Sequence, residues 1–353
     1  MTIAVRSLPR RQVSASADDH EQIVIRQDRK TGMRLIVAVH STVLGPALGG
    51  LRLKRYPGGL REALEDVMGL ARTMTLKASA AGLDLGGGKA VMIDDGEPSQ
   101  RLARMEAAAG AIERLGGAYI TAEDIGTTTA DIDHMSRFTR FCTGRSAENG
   151  GRGDPSPVTA ETVLAAMRRG LAAQLGSDEL EGRSVGVIGL GKVGGALAAK
   201  LAAAGARVVG VDVDPTRAFD GVEPAPSAEA VLGTELDVLA PCAAGGVIDD
   251  ALAGSLEVQV IAGAANNPLT SRAVAGTLAR RGILYVPDFL ANCGGLIHVA
   301  GEWFGDDAAA EAARIDGAME RLDEAIAIAA AEGGTPIDVA ERQALERVAA
   351  ARR

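Results

Sequence analysis

The sequence predicts an α/β fold of two domains, an N-terminal α/β domain followed by a doubly wound Rossmann domain. Its 353 residues are enough for two hydrophobic cores. The second half alternates short apolar segments with helical segments, which is typical of a parallel sheet. A glycine-rich motif, GLGKVGG at 189–195, joins the first of these apolar segments to an alanine-rich helix. This order of strand, glycine turn and helix is the nucleotide-binding unit of Rossmann folds.

The charge and composition argue against a nucleic-acid or membrane partner. The net charge is −9 and no basic run offsets it, so polyanions would be repelled. Aromatic residues make up 3% of the chain, too few for platforms that stack single-stranded bases. No apolar segment reaches the length of a membrane helix.

The cysteines and histidines predict neither a disulfide framework nor a metal centre. The three cysteines are widely separated and form no C-x-x-C pair, and the four histidines show no ligand spacing. We therefore expect reduced thiols, a cytoplasmic location and no metal. The polar stretch after Arg10-Arg11 lacks the apolar run of a secretory signal, and residues 1–20 are expected to form a loose arm.

The first domain is expected to open with a β-hairpin. Two β-branched segments between Glu21 and Val43 are separated by Lys30-Thr31-Gly32, a turn sequence. The segment GPALGG, residues 45–50, follows at the strand end. Its glycines either offer main-chain N–H groups to a carboxylate or form a plain turn, and the sequence favours neither reading.

Two lysines stand out in the next segment. A helix is predicted from Leu60 onward, with Lys77 near its end. Its buried face is expected to comprise Leu60, Leu64, Val67, Met68, Ala71 and Met74. Glycines 86–88 then predict either a turn or a close approach of the main chain to a ligand, after which Lys89 opens an apolar strand, Ala90–Ile93.

Lysine is rare in this chain, since only six of its 37 basic residues are lysines. Unlike arginine, lysine can lose its proton when it is buried or placed beside another cation. Lys77 and Lys89 are therefore candidates for chemistry. A helix-end lysine and a strand-edge lysine without function fit such a pattern about equally well.

A candidate carboxylate and a hinge follow. A helix, Gln100–Leu115, and a short strand, Ala118–Thr121, lead to Asp124. A carboxylate just beyond a strand is well placed for chemistry, but that position also suits a cap for the next helix. Residues Gly144–Pro157 are rich in Gly, Asn, Asp, Ser and Pro, so they are predicted to form a hinge across which the domains close.

The Rossmann unit is predicted in detail. A helix, Val158–Leu175, precedes the strand Ser184–Ile188, and the strand Arg207–Val211 follows the glycine motif and its helix. Asp212 lies 21 residues after Gly191, where an acidic residue binds the ribose hydroxyls, and no basic residue immediately follows it. NAD is therefore expected rather than NADP. The predicted cofactor contacts here are Gly189, Leu190, Gly191, Lys192, Val193, Gly194, Gly195 and Asp212.

Three more strands are predicted at Asp237–Ala240, Val258–Ala262 and Ile283–Val286, each followed by small or polar residues at the edge where such sheets bind ligands. Two helices end the chain, Ala308–Glu332 and Val339–Arg353. We expect them to return to the first domain, which would cover their apolar faces.

These motifs, in this order, resemble those of the glutamate, leucine, phenylalanine and valine dehydrogenase family, and most closely its leucine and valine members. The resemblance runs from about Leu44 to Glu332. It rests on GPALGG, MTLKASAAGLDLGGGK, YITAEDIGT, GLGKVGG, APCA, AGAANN and PDFLANCGG.

The resemblance implies roles for individual residues. Lys77 would bind the substrate carboxylate with main-chain help from Gly49 and Gly50. Lys89 would be the catalytic base, and Asp124 would assist proton transfer. The remaining substrate contacts would be Leu48, Met74, Ala122, Thr143, Asn267, Leu296 and Val299. Further cofactor contacts would be Cys242, Ala243, Asn266 and Asn292.

The implied reaction is the reversible, NAD-dependent oxidative deamination of a branched-chain L-amino acid to its 2-oxo acid and ammonia, carried out by a homo-oligomer. The same chemistry on phenylalanine and a non-catalytic NAD-binding role are the alternatives. Glutamate is disfavoured because Leu48 stands where glutamate enzymes carry a lysine. The implied domains are 1–150 for substrate binding and oligomerisation, joined by about 325–353, and 155–325 for NAD binding.

Overall fold

A five-stranded sheet organises the first half of the chain in a computed structural model that describes residues 19–94 and 98–352. The predicted loose arm thus falls almost wholly outside the described residues. The strands run β1 Gln22–Asp28, β2 Met33–Ser41, β3 Ala47–Lys54, β4 Gly86–Ile93 and β5 Tyr119–Glu123. Their order is β1-β2-β4-β3-β5. The predicted hairpin is confirmed, since β1 and β2 pair antiparallel, and β4 occupies the centre of the sheet.

Helices cover both faces of this sheet. They are α1 Gly59–Ala80, α2 Arg101–Glu113 and α3 Thr129–Met135. Side chains alternate along β2, so Ile36 and Ala38 face α1, whereas Leu35 and Val37 face the cluster that contains α2. Helices α1 and α2 therefore pack their apolar faces against opposite faces of the sheet.

The buried face of α1 differs from the predicted one. Leu60 is 44% exposed, and Leu64, Met68 and Met74 are only partly buried. The predicted Val67 and Ala71 are fully buried, and the other fully buried positions are small residues such as Ala63 and Thr75. Small side chains are needed because α1 lies very close to β4. A Cβ on Gly87 would lie 2.0 Å from the main-chain nitrogen of Thr75.

The predicted turn at glycines 86–88 is accordingly wrong. The three glycines are the first residues of β4, and none of them has a positive φ. A Cβ on Gly88 would lie 2.7 Å from the ring of Tyr119. These glycines therefore allow close packing of neighbouring elements rather than a change of chain direction.

The predicted parallel sheet is confirmed in the second half of the chain, with six strands rather than the five that were predicted; the additional strand is Val222–Pro224. Its strands are β6 Ser184–Ile188, β7 Arg207–Val211, β8 Val222–Pro224, β9 Leu236–Pro241, β10 Val258–Ile261 and β11 Leu284–Tyr285. The order β11-β10-β9-β6-β7-β8 is that of a Rossmann fold. The chain reverses its direction of travel across the sheet between β6 and β9, which opens a crevice beyond their carboxyl ends.

Nine helices accompany this sheet within the described residues. They are α4 Ser156–Leu175, α5 Lys192–Ala203, α6 Ala228–Leu232, α7 Asp250–Ala253, α8 Arg272–Arg280, α9 Asp288–Ala291, α10 Gly294–Phe304, α11 Ala308–Glu332 and α12 Pro336–Ala351. No helix in this part of the chain, or elsewhere in 19–94 and 98–352, combines the length and hydropathy needed to cross a membrane.

The return of the C-terminal helices to the first domain is confirmed. The hydroxyl of Ser79 in α1 donates to the carbonyl of Ala344 in α12 over 2.8 Å. Arg347 of α12 donates to the carbonyl of Leu83 and to the carboxylate of Asp84, which follow α1. Helix α12 therefore stabilises the position of α1, the helix that carries Lys77.

The predicted hinge is irregular apart from a short 3₁₀ turn, Ala147–Asn149, and its last two residues, which begin α4. Its first part is tied to α10, because the Glu302 carboxylate accepts main-chain N–H groups of Gly144 and Arg145 and pairs with the Arg145 guanidinium. Its second part is tied to α11 through Arg152 and Glu311, 2.6 Å apart. Domain closure across this segment remains a prediction.

Candidate active site

Lys89 and Asp124 form an ion pair at the centre of the first sheet. Lys89 is 5% exposed, and its Nζ lies 3.2 Å from Asp124 Oδ1. Asp124 does not cap the following helix, because Thr128 holds that position with a capping box to Asp131. The cap reading of Asp124 is therefore wrong, and its carboxylate faces the lysine.

Gly49 and Gly50 lie inside β3, so the plain-turn reading of this segment is also wrong. A Cβ on Gly50 would lie 2.7 Å from the Cβ of Asp124, and one on Gly49 would lie 1.8 Å from the Gly88 carbonyl oxygen. Between β3 and β4, Gly49 and Gly50 have no paired partner, and neither do the facing residues Gly88 and Lys89. The two glycines thus place bare main chain directly beside the ion pair.

Lys77 reaches across the cleft to the second domain. Its Nζ donates to Asn292 Oδ1 over 2.6 Å. Asn292 Nδ2 in turn donates to the carbonyl of Ala264, at 3.0 Å, and to Asn266 Oδ1, at 2.9 Å. Three residues predicted for the site, one from the first domain and two from the second, therefore meet in one hydrogen-bonded chain.

Asn267 has an unusual backbone that a buried carboxylate supports. Its φ is 50°, the one positive value at a residue other than glycine in 19–94 and 98–352. Its N–H donates to Asp288 over 2.8 Å, and the Tyr285 hydroxyl donates to the other oxygen of that carboxylate over 3.0 Å. Asparagine tolerates this conformation better than most residues. Asp288, which was not among the predicted site residues, fixes this loop at the cleft.

Burial controls the ionisation of the lysines. It lowers the pKa of Lys89, an effect that Asp124 opposes and Arg52 reinforces. It also lowers the pKa of Lys77. For Asp124, burial raises the pKa, but Lys89 and Arg52 outweigh it, so the net pKa lies below the usual range. At neutral pH Asp124 is therefore a carboxylate, and Lys89 releases a proton more readily than an exposed lysine does.

The apolar residues predicted for the substrate side chain come from both domains. One continuous cluster contains Leu48, Met74, Leu296 and Val299. The hydroxyl of Thr143 donates to the Val299 carbonyl, so this polar group is already satisfied. Ala122 lies beside Gly50 in the sheet. None of the six side chains is charged.

The glycine turn at the crevice of the second sheet requires glycine at two positions. Gly189 follows β6 with a φ of 100°, and a Cβ there would lie 2.6 Å from the Cβ of Ala243. A Cβ on Gly194 would lie 1.9 Å from the Gly189 carbonyl oxygen and 2.9 Å from the Cβ of Cys242. Only glycine therefore fits at these positions, at the N-terminal end of α5, where main-chain N–H groups bind phosphates.

Asp212 lies at the end of β7 beside this glycine turn. Its carboxylate accepts the N–H of Leu190 over 2.7 Å and that of Asp214 over 2.9 Å. The bond from Asp214 is the largest of the effects that lower the pKa of Asp212. The guanidinium of Arg217 lies 3.3 Å from the same carboxylate. Because no basic residue immediately follows Asp212 in the sequence, this contact with Arg217 was not predicted. A glycine cradle and an adjacent carboxylate together fit a dinucleotide.

Not every predicted cofactor residue directs its side chain to the crevice. Lys192 is drawn toward the linker, where its Nζ lies 3.3 Å from Asp154. Gly195 packs against Phe219, because a Cβ there would lie 2.2 Å from that ring. Val193 packs against the apolar cluster of the second domain. These three residues therefore contact the linker or neighbouring apolar side chains.

The cysteines contribute no disulfide within the described residues. Cys142, Cys242 and Cys293 are free, and burial raises the pKa of Cys242 and Cys293 to about 11 each. Between residues 19 and 352, outside 95–97, no group of three potential metal-ligating side chains was found.

Models of one family match most of the chain. The model described as Glu/Leu/Phe/Val dehydrogenase, dimerisation domain, matches residues 20–141. The model described as Glutamate/Leucine/Phenylalanine/Valine dehydrogenase matches residues 212–353. Between them, residues 160–243 match the NAD-binding domain of D-isomer specific 2-hydroxyacid dehydrogenases. NAD is therefore the cofactor of this protein.

Known proteins are similar over nearly the whole length. A leucine dehydrogenase of Geobacillus stearothermophilus is 40% identical over 94% of this chain and 91% of its own. A valine dehydrogenase of Streptomyces virginiae is 43% identical over 94% of this chain and 95% of its own. The solved structure of L-tryptophan dehydrogenase from Nostoc punctiforme superposes with a TM-score of 0.82 at 31% sequence identity. The match covers 95% of this chain and 97% of that chain. The chain therefore belongs to the glutamate, leucine, phenylalanine and valine dehydrogenase family and is an NAD-dependent amino-acid dehydrogenase.

Proposed function

We propose that this enzyme oxidatively deaminates branched-chain aliphatic L-amino acids, namely valine, leucine and isoleucine. The amino acid, NAD⁺ and water yield the 2-oxo acid, NADH, ammonium and a proton. The observation that carries the proposal is the buried ion pair of Lys89 and Asp124, which lies beside a second lysine at the cleft between the domains. The relatives that are leucine and valine dehydrogenases support the substrate class.

Lys77 is proposed to hold the substrate carboxylate. Its ammonium already donates to a neutral amide oxygen, that of Asn292, and a carboxylate is a stronger acceptor for the same donor. The main chain at Gly49 and Gly50, which lies beside the Asp124 side chain, is proposed to orient the substrate further. The amino group then points toward Lys89.

Lys89 is proposed to be the general base and Asp124 its proton relay. NAD⁺, when bound, accepts the hydride from the substrate Cα. Lys89 takes a proton from the water that attacks the resulting iminium carbon, which is possible because burial lowers the pKa of Lys89. Asp124 Oδ1, 3.2 Å from Nζ, passes a proton to the nitrogen that leaves as ammonia.

We expect valine, leucine and isoleucine to give the highest kcat/KM in a panel of the twenty L-amino acids, followed by NADH absorbance. An uncharged pocket rejects glutamate and lysine side chains because their charges would lose water without gaining a partner. One methylene in an apolar pocket changes the binding free energy by only ~1 to 3 kcal/mol, so the three substrates should differ modestly. A highest kcat/KM for phenylalanine or tryptophan would overturn the aliphatic assignment.

Leu296→Ala provides a test of the pocket itself. Leu296 is 7% exposed, and its truncation should make room for an aromatic ring. The ratio of kcat/KM for phenylalanine to that for valine should rise roughly tenfold or more. Leu345→Ala, on the outside of α12 where the leucine is 48% exposed, is the matched control and should leave the ratio unchanged.

Asp212 is proposed to select NAD by repelling a 2′-phosphate. Because Arg217 already lies 3.3 Å from its carboxylate, Asp212→Ser alone should turn that cation toward the phosphate. We expect the NADP-to-NAD ratio of kcat/KM to rise by about tenfold or more. The double variant Asp212→Ser, Arg217→Ala should lose this gain. Efficient use of NADP by the unmodified protein would show that Asp212 does not have this role.

We further infer the assembly, domains and location. Residues 1–150 with about 325–353 are proposed to bind substrate and to form a homo-oligomer, and 155–325 to bind NAD. The match of 20–141 to a dimerisation domain supports the oligomer, and light scattering during size exclusion would measure its mass. The free thiols support a cytoplasmic location, which cell fractionation would test.

A further inference from the structure

The ion pair at the active site continues outward through an arginine. The Arg52 side chain of β3 lies between two carboxylates and is 14% exposed. Its Nε donates to Asp124 Oδ2 over 2.8 Å, and its Nη1 donates to Asp66 Oδ2 over 3.1 Å. Asp66 belongs to α1, the helix that also carries Lys77. Arg52 therefore connects the strand, the helix and the carboxylate of the site.

A tyrosine completes this row of groups. The Tyr56 hydroxyl donates to the same Asp66 oxygen that accepts from Arg52, over 2.7 Å. Tyr56 is 6% exposed, and the Asp66 side chain is 15% exposed. The row runs Lys89, Asp124, Arg52, Asp66 and Tyr56. The first four side chains alternate in charge, and the hydroxyl at the end is neutral.

We propose that Arg52 is a positioning residue for the deamination, which holds Asp124 Oδ2 so that only Oδ1 is free to exchange protons with Lys89. Asp66 and Tyr56 hold the guanidinium in place from the other side. This inference rests on the proposed function of Lys89 and Asp124. Arg52, Asp66 and Tyr56 are not proposed to contact the substrate.

The geometry requires arginine in particular. A guanidinium presents several donors in a rigid plane, so Nε and Nη1 can serve two different carboxylates at once. A lysine ammonium at this place would keep the charge but would reach both carboxylates poorly. Arg52 thus fixes the direction of the Asp124 carboxylate as well as its ionisation.

The electrostatic consequences have a definite sign. The charged and titratable groups around Lys89 and Asp124 are Arg52, Tyr56, Asp66, Lys77 and Tyr119. Of these, Arg52 lowers the pKa of Lys89 and Asp66 raises it. Lys89 must be neutral to act as a base, so activity falls as the pH drops through the pKa of Lys89. Removing Arg52 should move this acid limb to higher pH, whereas removing the charge of Asp66 should move it to lower pH.

The test compares the pH dependence of kcat in the full-length enzyme and its Arg52→Met and Asp66→Asn variants. Asparagine suits the second variant because both bonds to Asp66 end on one oxygen, which an amide oxygen can replace. We expect Arg52→Met to lower kcat roughly tenfold or more and to move the acid limb up by about 0.5 pH unit or more. Asp66→Asn should move the limb down. General damage to the fold would not shift the limb in opposite directions.

Two further variants serve as comparisons. Arg52→Lys should bring the limb back toward its wild-type position, because the charge is retained, while kcat stays low. Arg183→Met removes a similarly half-buried arginine, which pairs with Asp237 over 3.2 Å at the other end of the second sheet, and should leave the limb in place.

An unmoved limb in folded Arg52→Met would overturn the inference, as would a limb that shifts in the same direction in both variants. If Arg52→Met does not fold, as judged by circular dichroism and size exclusion, Asp66→Asn decides alone, and an unmoved or raised limb rejects the proposal. Failure of the proposed function is distinguishable, since the unmodified enzyme would then turn over no amino acid with NAD.

Discussion

Lys89→Ala is expected to lower kcat by about 10²- to 10⁴-fold, the usual contribution of a positioned general base. The substitution removes the buried ammonium that lies 3.2 Å from Asp124 Oδ1. The fold should tolerate the change, because Arg52 remains paired with the other oxygen of the Asp124 carboxylate at 2.8 Å. The variant therefore loses the base without leaving an isolated buried charge.

The measurements for this variant are kcat with valine and the dissociation constant of NAD. NAD binding should be unchanged within about twofold, because the glycine cradle and Asp212 lie in the other domain. Lys200→Ala removes an exposed lysine paired with Glu161 and should keep full activity. A kcat near that of the unmodified enzyme would show that Lys89 is not the base.

The Rossmann domain could be predicted closely from the sequence because its signals are local. The strands at Ser184–Ile188 and Arg207–Val211 both have the predicted bounds. Each of these signals can be recognised within a segment of about 30 residues: the apolar runs, the glycine motif and the alternation of strands and helices.

The first domain was predicted less well because its determinants are contacts between distant segments. The glycines before Lys89 predict a turn when the sequence is considered alone, because nothing within the segment shows that Thr75 lies against Gly87. Arg52 likewise carries no local signal. Its two carboxylate partners are 14 and 72 residues away in the chain. Its position became evident only when β3, α1 and the end of β5 were seen together.

Gly87→Ala is expected to lower the free energy of unfolding by about 3 kcal/mol or more and to abolish most activity. The added Cβ would lie 2.0 Å from the Thr75 nitrogen and 2.4 Å from its Cα, and main-chain atoms cannot rotate away as a flexible side chain can. Helix α1 must therefore move away from β4. Because α1 carries Lys77 and β4 carries Lys89, the same shift separates the two lysines.

Gly69→Ala is the matched control, since Gly69 lies in the same helix and a Cβ there meets no atom within 4 Å. Alanine should stabilise that helix position by ~0.5 to 1 kcal/mol. Thermal unfolding at one fixed protein concentration, together with kcat, would compare the two variants. A Gly87→Ala protein as stable and active as Gly69→Ala would mean that α1 and β4 do not pack this closely. In that case the glycines before Lys89 would need another explanation, such as contact with the substrate.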